Sequence, residues 1–402
     1  MNAEVPREFS LAERDRRWDA VRANAAAAGF DGIFVPLCLD STNLNLSPEQ
    51  RRGTRSDCRY LTGMENAAVV LPTAGGKPIA VADRGNGNAW VDDVRAANRG
   101  SWVPAMVEAL RDAGLERGRI GVSGLRNGTV SHVRATSGVV NHSAYADVKR
   151  SLPNARFEDG TDCVGFARYR KGPEEIAALR NAARIAAAGL DELIEVARPG
   201  VAVAEVYARV VGRMLELGSE YYPLALDIGP LEGEQHRHED PPFGMTPQPG
   251  DLVINEMDAV YLGMIAQEDQ PVLLGAIPDA WKPVVELQAE LYRTGLELMK
   301  PGVSFAAITQ GVAERAEQAG MHGWSMLHSR GFGNDGPLIN TQDGRPDRTT
   351  GVEIEPNTVW MWKPSAVSAD GRIKFRWGGC VLVTEQGAEP LVPRTPGLVS
   401  IQ

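Results

Sequence analysis

The spacing of hydrophobic positions changes several times along the first third of the chain. Apolar residues recur every three to four positions from Glu13 to Gly29, which predicts an amphipathic helix that ends at Gly29. The apolar run DGIFVPL that follows predicts a strand, and NAAVVLPTAGGKPIAVAD predicts two strands joined by a Gly-Gly turn. Helix and strand patterns therefore alternate from the start of the chain.

The same alternation continues, with SWVPAMVEALRDAGL typical of a helix and RIGVSG typical of a strand. Strands that alternate with helices form a sheet with helices packed against it. We therefore expect a small N-terminal α/β domain over residues 1–165.

From residue 166 onward a mainly helical pattern gives way to a strand-rich one. The segment RYRKGPEEIAALRNAARIAAAG predicts a long helix that begins at Pro173 and whose pattern ends at Pro199-Gly200. About a hundred residues later, ELMKPGVSFAAI repeats the form of EVARPGVAVAEV, in which a helix runs into Pro-Gly-Val before a new helix. We therefore expect a second domain, residues 166–402, that consists of two related halves.

The composition narrows the classes of protein to which the chain can belong. It has 402 residues and a formal net charge of −10, and no long block of Lys or Arg stands out, so a nucleic-acid partner is disfavoured. No window approaches the ~20 apolar residues of a membrane span, and the charged N-terminus lacks the apolar core of a signal peptide. We therefore expect a soluble, cytoplasmic protein with no membrane partner.

The cysteines are too far apart for a zinc knuckle or a disulfide scaffold. Cys38, Cys58, Cys163 and Cys380 form no CxxC pair. Buried, reduced thiols are the expected state.

Five segments, taken in their order and spacing, resemble one known family. They are SDCRYLTGM, RYRKGPEEIAALRNAARIAAAG, RPGV with the EV that follows it, QPGDLVIN, and VLVTEQGAEPL. Together they resemble the creatinase, aminopeptidase P and prolidase family over most of the chain. The resemblance implies an α+β fold, in which a small N-terminal α/β (creatinase-like) domain precedes a C-terminal pita-bread domain.

The metal-binding members of this family hold two divalent ions with five ligands: two aspartates on a hairpin, a histidine in a glycine-rich turn, and two late glutamates. The resemblance places Glu256, Gln267, Arg330, Lys363 and Gly378 at these positions. A guanidinium has no lone pair to give, and a lysine binds a metal only after losing its proton. We therefore expect that the dinuclear site is lost and that no metal cofactor is bound.

Creatinase-type members of the family are hydrolases without a metal, and by resemblance they look like the nearest functional analogue of this chain. The resemblance places their catalytic histidine at His238, with His236 as a neighbour, and their first glutamate at Asp269. We expect His238 to act as acid and base beside Asp269, because imidazole titrates near neutral pH. Two alternatives stay open: a surface histidine without a role, and a mononuclear metal site of His236 and His238 completed by Glu256 or Asp269.

The two cations at former ligand positions have two interpretations. Arg330 and Lys363 could bind a carboxylate or stabilise an oxyanion of the substrate. Alternatively, they pair with Glu256 and Glu268 in an internal salt-bridge network that does no chemistry.

Further candidate substrate contacts come from Glu256 and from the two strands that line the family's site. Strand alternation puts Trp360 and Trp362 on one face, and Trp377 follows Arg376 in the element FRWGG. Aromatic walls suit a planar or cationic ligand. The commoner fate of such tryptophans is core packing.

These residues predict a metal-independent hydrolase of a C–N bond in a small, carboxylate-bearing substrate, of the amidino or amide type. A lyase that cleaves a small betaine-like substrate is the alternative within the enzymes. A non-catalytic pseudo-peptidase that binds a peptide or protein is the alternative outside them.

Creatinase-type members are homodimers whose small domain completes the partner's site, so the resemblance implies a homodimer here. The loop before RYLTGMEN would then face the other subunit. Its candidate substrate contacts are Arg51, Arg52, Arg55, Glu65 and Asn66. A solvated loop is the alternative.

Overall fold

The computed structural model describes residues 5–36, 56–64, 66–83, 88, 90–97, 102–126, 140–231, 243–342 and 351–402. The chain divides into two compact units. The first comprises Pro6–Glu174 and Phe332–Pro337, and the second comprises Val5, Glu175–Gly331 and Leu338–Gln402 among the described residues.

The first unit is a mixed sheet with helices against it. Its described helices are α1 (Leu11–Ala27), α2 (Ser56–Thr62), α3 (Trp102–Asp112), α4 (His142–Ser151) and α5 (Thr161–Tyr169). Its described strands are β1 (Gly32–Val35), β2 (Ala67–Pro72), β3 (Ile79–Ala82), β4 (Asp93–Ala96), β5 (Arg119–Val122) and β6 (Arg156–Asp159). The strand order is β4-β3-β2-β1-β5-β6, and the helix and strand alternation predicted from the sequence is confirmed.

Local signals explain where α1 begins and ends. The Ser10 side chain accepts a hydrogen bond from the Glu13 backbone N–H, which satisfies one of the donors left open in the first turn. Gly29 follows the helix with φ +74°, a conformation that glycine adopts without steric cost. The chain can therefore turn directly into β1, which pairs antiparallel with β2 and parallel with β5.

A buried ion network stabilises the first unit. Lys171 Nζ lies 3.0 Å from Asp335 Oδ2, and Arg168 bridges Asp335 and Asp57. Burial by itself would raise the pKa of the Asp335 carboxyl, but Arg168 and Lys171 hold that pKa below its usual value. The basic pair in RYRKGP therefore lies inside the fold in this unit, where it compensates a buried carboxylate.

The second unit carries four described helices and a large sheet. The helices are α6 (Pro173–Val196), α7 (Val203–Glu216), α8 (Lys282–Leu298) and α9 (Phe305–Gln318). The described strands are β7 (Ala225–Pro230), β8 (Asp251–Tyr261), β9 (Met264–Glu268), β10 (Val272–Leu274), β11 (His322–Trp324), β12 (Met326–Ser329), β13 (Leu338–Asn340), β14 (Thr358–Trp362), β15 (Ser365–Val367), β16 (Lys374–Arg376), β17 (Gly379–Thr384), β18 (Gly387–Pro390) and β19 (Val399–Ile401).

Ten of these strands form one sheet, which brings distant segments together. Its main path is β13-β12-β14-β17-β9-β8-β10-β19, with β18 on β17 and β7 on β8, and a second sheet has the order β11-β15-β16. Helices α6 and α7 bury apolar side chains against it, among them Leu190 and Val210 against Val253 and Val272. Full burial of such a side chain contributes about 1.5–3 kcal/mol.

The two helix pairs of this unit are joined in the same way. Gly200 between α6 and α7 has φ +86°, and Gly302 between α8 and α9 has φ +83°. Each glycine follows a proline and lets the chain reverse after a helix. The two Pro-Gly-Val segments of the sequence thus connect equivalent pairs of helices.

Two further expectations concern single residues and spans. Cys58, Cys163 and Cys380 are buried, and Cys38 lies outside the described residues. Across the described ranges, no helix is both long enough and apolar enough to cross a membrane.

Candidate functional site

A hairpin collects four polar side chains on one face of the large sheet. Strands β8 and β9 pair antiparallel with Asp258 opposite Gln267. Because side chains alternate between the two faces, Glu256 and Asp269 share the face of this pair, and Glu268 points to the other face. The sequence therefore builds one polar face from both strands of the hairpin.

Lys363, which follows β14, contacts this face. Its Nζ donates to Glu256 Oε1 at 2.9 Å, and Arg376 Nη2 lies 3.6 Å from the same oxygen. The Lys363 side chain is fully buried. A Cβ atom at Gly378 would stand 2.7 Å from Lys363 Cγ, so the glycine leaves room for the lysine stem.

Arg330, which follows β12, contacts the other half of the face. Its Nη2 donates to Asp258 Oδ1 at 2.9 Å and also to Gln267 Oε1. Glu268 lies on the opposite face, where it pairs with Arg394 at 3.6 Å. Of the pairs in the alternative salt-bridge interpretation, Lys363 with Glu256 is present, whereas Glu268 pairs with Arg394 instead of Arg330 or Lys363.

Asp269 lies between these contacts. Its Oδ1 accepts a hydrogen bond from Gln267 Nε2 at 3.0 Å, and its backbone N–H donates to the Gly378 carbonyl at 3.0 Å. Its Oδ2 is buried and has no hydrogen-bond partner among the described residues. An unpartnered oxygen of this kind is costly unless a ligand or water meets it.

Burial raises the pKa of Asp269. Lys363 lowers that pKa by its positive charge, Glu256 raises it, and Arg376 lowers it. The four charged groups thus influence one another within one cluster. We refer to the following residues as the polar cluster: Glu256, Asp258, Gln267, Asp269, Arg330, Lys363 and Arg376.

The polar cluster contains four of the five ligand positions that the resemblance implied, and the fifth, Gly378, is hydrogen-bonded to Asp269. These donors do not fit a pair of divalent cations, because Lys363 and Arg330 direct N–H groups at the oxygens that would bind a metal. In the described part of the chain, no three His, Cys, Asp or Glu side chains are grouped so that they could hold a metal ion.

Arg394 is a neighbour of the cluster that sequence reasoning missed. Its Nη1 donates to the Asp269 carbonyl at 3.2 Å, and its Nη2 donates to Gln270 Oε1 at 2.8 Å. The guanidinium also lies 5.4 Å from the ring centre of Trp377. No local pattern marks Arg394, because its contacts depend on how the C-terminal segment folds back.

Asp258 was given no role from the sequence, although a signal existed. It stands two residues after Glu256 in a strand, so alternation alone places both carboxylates on the same face.

Glu268 is a second buried carboxyl beside the cluster. Burial raises its pKa to about 8, although Arg394 and the Cys380 backbone N–H both lower it. Between about pH 4.5 and about pH 8, Glu268 therefore keeps its proton in the folded protein and loses it in the unfolded chain, where its pKa is 4.5.

This difference predicts a stability that falls as pH rises from about 4.5 to about 8, because the folded state binds more protons than the unfolded state in that window. Each unit of pKa shift corresponds to about 1.4 kcal/mol. Glu268→Gln stays neutral and keeps an acceptor for the Cys380 N–H. We expect its stability relative to the unchanged protein to increase with pH over this window, measured by urea denaturation.

The matched control is Glu216→Gln, whose side chain is 71% exposed. The control should have the same free energy of unfolding as the unchanged protein at every pH. If the difference in stability between Glu268→Gln and the unchanged protein did not vary with pH, Glu268 would have an ordinary pKa.

The tryptophans have different surroundings. Trp362 is fully buried, its indole donates to the Tyr292 carbonyl of α8 at 3.1 Å, and it covers Gly295. This position serves packing, and the predicted substrate contact for Trp362 finds no support in it. Trp377 is also buried: its Nε1 donates to Gln270 Oε1 at 3.2 Å, and its ring centre lies 4.9 Å from that of Tyr292.

Several predicted site residues lie outside the described residues. These are His236 and His238, with the alternative mononuclear metal site, and Arg51, Arg52, Arg55 and Glu65.

Comparison with protein families places the chain in a known group. Residues 177–385, slightly more than half of the chain, match the sequence profile described as metallopeptidase family M24.

Similar curated proteins include ectoine hydrolase from Halomonas elongata, which is 26% identical over 263 residues covering 62% of this chain and 64% of that protein. Creatinase from a Bacillus species is 24% identical over 314 residues covering 72% of this chain and 70% of that protein. The chain thus spans less than two thirds of the ectoine hydrolase.

Solved structures give the fold. The chain is similar to an X-Pro aminopeptidase from Thermotoga maritima with a TM-score of 0.70 at 17% identity, covering 94% of this chain and 100% of that chain. A dipeptidase from Pyrococcus horikoshii gives a TM-score of 0.73 at 16% identity, covering 96% and 100%. The expected fold class, an N-terminal α/β domain followed by a pita-bread domain, is confirmed.

Proposed function

The chain belongs to metallopeptidase family M24, and we propose that within this family it is a hydrolase that breaks a C–N bond in a small substrate without a metal pair. The bond is of the amidino or amide type, and the substrate carries a carboxylate. The similarity to ectoine hydrolase and to creatinase supports this class of reaction.

The observation that carries the proposal is the state of Asp269. A buried carboxylate oxygen without a hydrogen-bond partner among the described residues is available to accept an N–H or a proton from a bound molecule. Lys363 and Arg376 favour the charged form of Asp269, whereas burial opposes it. A buried carboxylate whose pKa is raised by its surroundings is a candidate for proton transfer.

The polar cluster supports hydrolysis in the following way. The oxygen of a water molecule forms a bond to the substrate carbon, the C–N bond breaks, and the departing nitrogen takes up a proton. Asp269, together with His238 as predicted from the sequence, accepts the proton of the water and returns it to the nitrogen. Lys363 and Arg330 supply fixed positive charge close to the developing oxyanion.

Metal independence rests on the donor set. Two cations bound to Glu256 and Gln267 repel a divalent ion and use the lone pairs that such an ion needs. The positive charge at this place in the fold is then supplied by side chains.

The test combines metal analysis with a substrate screen. Purified protein is analysed for bound metals and incubated, with and without chelator, with amides, ureas, amidines, guanidino acids and betaines, and the products are identified by mass spectrometry. We expect hydrolysis of a carboxylate-bearing member of the panel, at the same rate with chelator and with far less than one metal ion per chain. Activity that disappears with chelator and returns with a divalent metal would exclude metal independence.

The same screen separates the other candidates. Products of elimination, in which no water is added, would identify a lyase. A protein that binds peptides and turns over no member of the panel would be a non-catalytic binder.

His238→Ala tests the predicted acid/base residue. We expect loss of activity with unchanged thermal stability. Retention of the activity found in the screen would remove His238 from the mechanism.

Homodimer formation and a cytoplasmic location remain part of the proposal. Light scattering coupled to size-exclusion chromatography tests the first, and we expect the mass of two chains.

A further inference from the structure

The pairing of β8 with β9 and β10 is interrupted at residues 269–271. On one side of the interruption Met257 stands opposite Glu268, and on the other side Val253 stands opposite Val272. Four positions separate the two pairs on each strand, so one continuous register runs through the interruption. The interruption is therefore a local opening of the ladder, and Asp269 lies in it.

Asn255 fills this opening with its side chain. The register places Asn255 opposite Gln270, where its Nδ2 donates to the Gln270 carbonyl at 2.7 Å and its Oδ1 accepts from the Gln270 N–H at 3.2 Å. A side-chain amide thus takes the place of a main-chain partner, which sets the two strands further apart than in a regular ladder. The same register places Glu256 opposite Asp269, and like charges directly opposite each other in a regular ladder are destabilising.

The main chain of Asp269 is instead held by segments that come much later in the sequence. Its N–H donates to the Gly378 carbonyl at 3.0 Å, and its carbonyl accepts from Arg394 Nη1 at 3.2 Å. Arg394 Nη2 also donates to Gln270 Oε1 at 2.8 Å. One guanidinium, with its rigid fork of donors, therefore joins two successive residues of the opening.

An ion pair with Glu268 does not by itself account for Arg394. The two groups lie 3.6 Å apart, and burial raises the pKa of Glu268 to about 8 although Arg394 lowers it. The Glu268 carboxyl is therefore mostly protonated at pH 7. The contacts of Arg394 that persist at that pH include its hydrogen bonds to Asp269 and Gln270.

We infer that Arg394 is a positioning residue for the hydrolysis: by holding the carbonyl of Asp269 in the opening of the ladder, it keeps the Asp269 carboxylate directed into the polar cluster. This inference rests on the proposed function, in which Asp269 transfers the proton. Arg394 acts through Asp269 and transfers no proton itself. A displacement of a reacting group by about 1 Å can cost about 100-fold in rate.

The first test measures the rate of hydrolysis on the best substrate from the screen. Arg394→Met keeps the apolar stem and removes the donors, and we expect the rate to fall about 10- to 100-fold. Arg394→Lys keeps the charge and a donor, and it should be at least about threefold faster than Arg394→Met. In the Asp269→Asn background, Arg394→Met should lower the rate by less than about threefold, because the residue that Arg394 positions no longer transfers a proton.

Arg198→Met is the matched control. Arg198 also donates to main-chain carbonyls, those of Ile194 and Ala197 at 2.7 and 2.8 Å, but it does so at the end of α6. Loss of these hydrogen bonds should leave the rate unchanged.

The second test needs no substrate. Amide hydrogen exchange, resolved to single residues by fragmentation mass spectrometry, reports how firmly the main chain is held at each position. We expect Arg394→Met to speed exchange of the Asp269 and Gln270 N–H groups about 10-fold or more relative to the N–H of Ala266 within β9. Arg198→Met should leave all three unchanged. If Arg394→Met does not fold, Arg394→Gln, which is too short to span both contacts, replaces it with the same expected results.

Three results would overturn the inference: an unchanged rate in Arg394→Met, unchanged exchange at Asp269 and Gln270, or a loss of rate that is equally large in the Asp269→Asn background. Failure of the proposed function is distinguishable. Faster exchange at Asp269 in a protein that hydrolyses no member of the panel would support the placement of Asp269 by Arg394 and contradict the proposed reaction. Hydrolysis with unchanged rate and exchange in Arg394→Met would contradict this inference alone.

Discussion

Asp269→Asn is expected to lower the rate of hydrolysis about 100-fold or more while the fold is retained. The amide has the shape of the carboxylate, and its oxygen can still accept the hydrogen bond that Gln267 Nε2 gives to Asp269 Oδ1 at 3.0 Å. Oδ2, however, becomes an NH2 group that cannot take a proton. The variant thereby removes the acceptor on which the proposed chemistry depends, an oxygen with no hydrogen-bond partner in the described part of the chain.

The measurement is the rate of product release as a function of pH, on the best substrate from the screen. In the unchanged protein the rate should rise as pH passes the pKa of Asp269, which burial raises above its usual value. Asp269→Asn should lose this rise as well as the rate. Asp370→Asn, at a 60% exposed side chain, is the control and should change neither.

Full activity of Asp269→Asn would assign the proton transfer to another group. A loss of rate with an unchanged pH profile would show that Asp269 only helps to position the substrate.

Lys363→Met is expected to reduce the free energy of unfolding by up to about 3–5 kcal/mol, the cost of removing one partner from a buried ion pair. Methionine fills much of the volume of the lysine stem against Gly378, so cavity formation contributes little. The main loss is the charge that compensates Glu256 at 2.9 Å. Lys363 also lowers the pKa of Asp269, so in this variant the rise of the rate should move to higher pH.

A double-mutant cycle checks the origin of this loss. Glu256→Gln in the Lys363→Met background removes the carboxylate that has lost its lysine partner and should recover part of the stability, as measured by urea denaturation. Lys282→Met, at a 57% exposed side chain paired with Asp279, is the surface control and should change stability by no more than about 1 kcal/mol. If Lys363→Met itself lowered the free energy of unfolding by no more than about 1 kcal/mol, the buried ion pair would contribute little to stability.

Much of the architecture is determined by patterns within the sequence. The alternation of helix and strand periods predicts the first unit, and the repeated Pro-Gly-Val segments predict two equivalent helix pairs, whose glycines have φ +86° and +83°. Strand alternation also predicts that Trp360 and Trp362 share a face. These features depend on neighbouring residues and on backbone conformation, which a sequence shows directly.

The resemblance to known proteins placed Glu256, Gln267, Arg330 and Lys363 in one group. In the structure Lys363 contacts Glu256, and Arg330 contacts Gln267. The resemblance could not tell which carboxylate pairs with which cation, because partners such as Lys363 and Glu256 lie 107 positions apart.

The sequence by itself therefore determined the fold class, the family resemblance and the identity of the charged residues near the hairpin. Only the tertiary structure decided that Arg330 pairs with Asp258, that Glu268 faces Arg394, and that Asp269 keeps an oxygen without a partner among the described residues. The physical reason is that burial and pairing depend on which strands become neighbours in the sheet. In a region of low dielectric, those neighbours determine which charges are compensated and which remain available for chemistry.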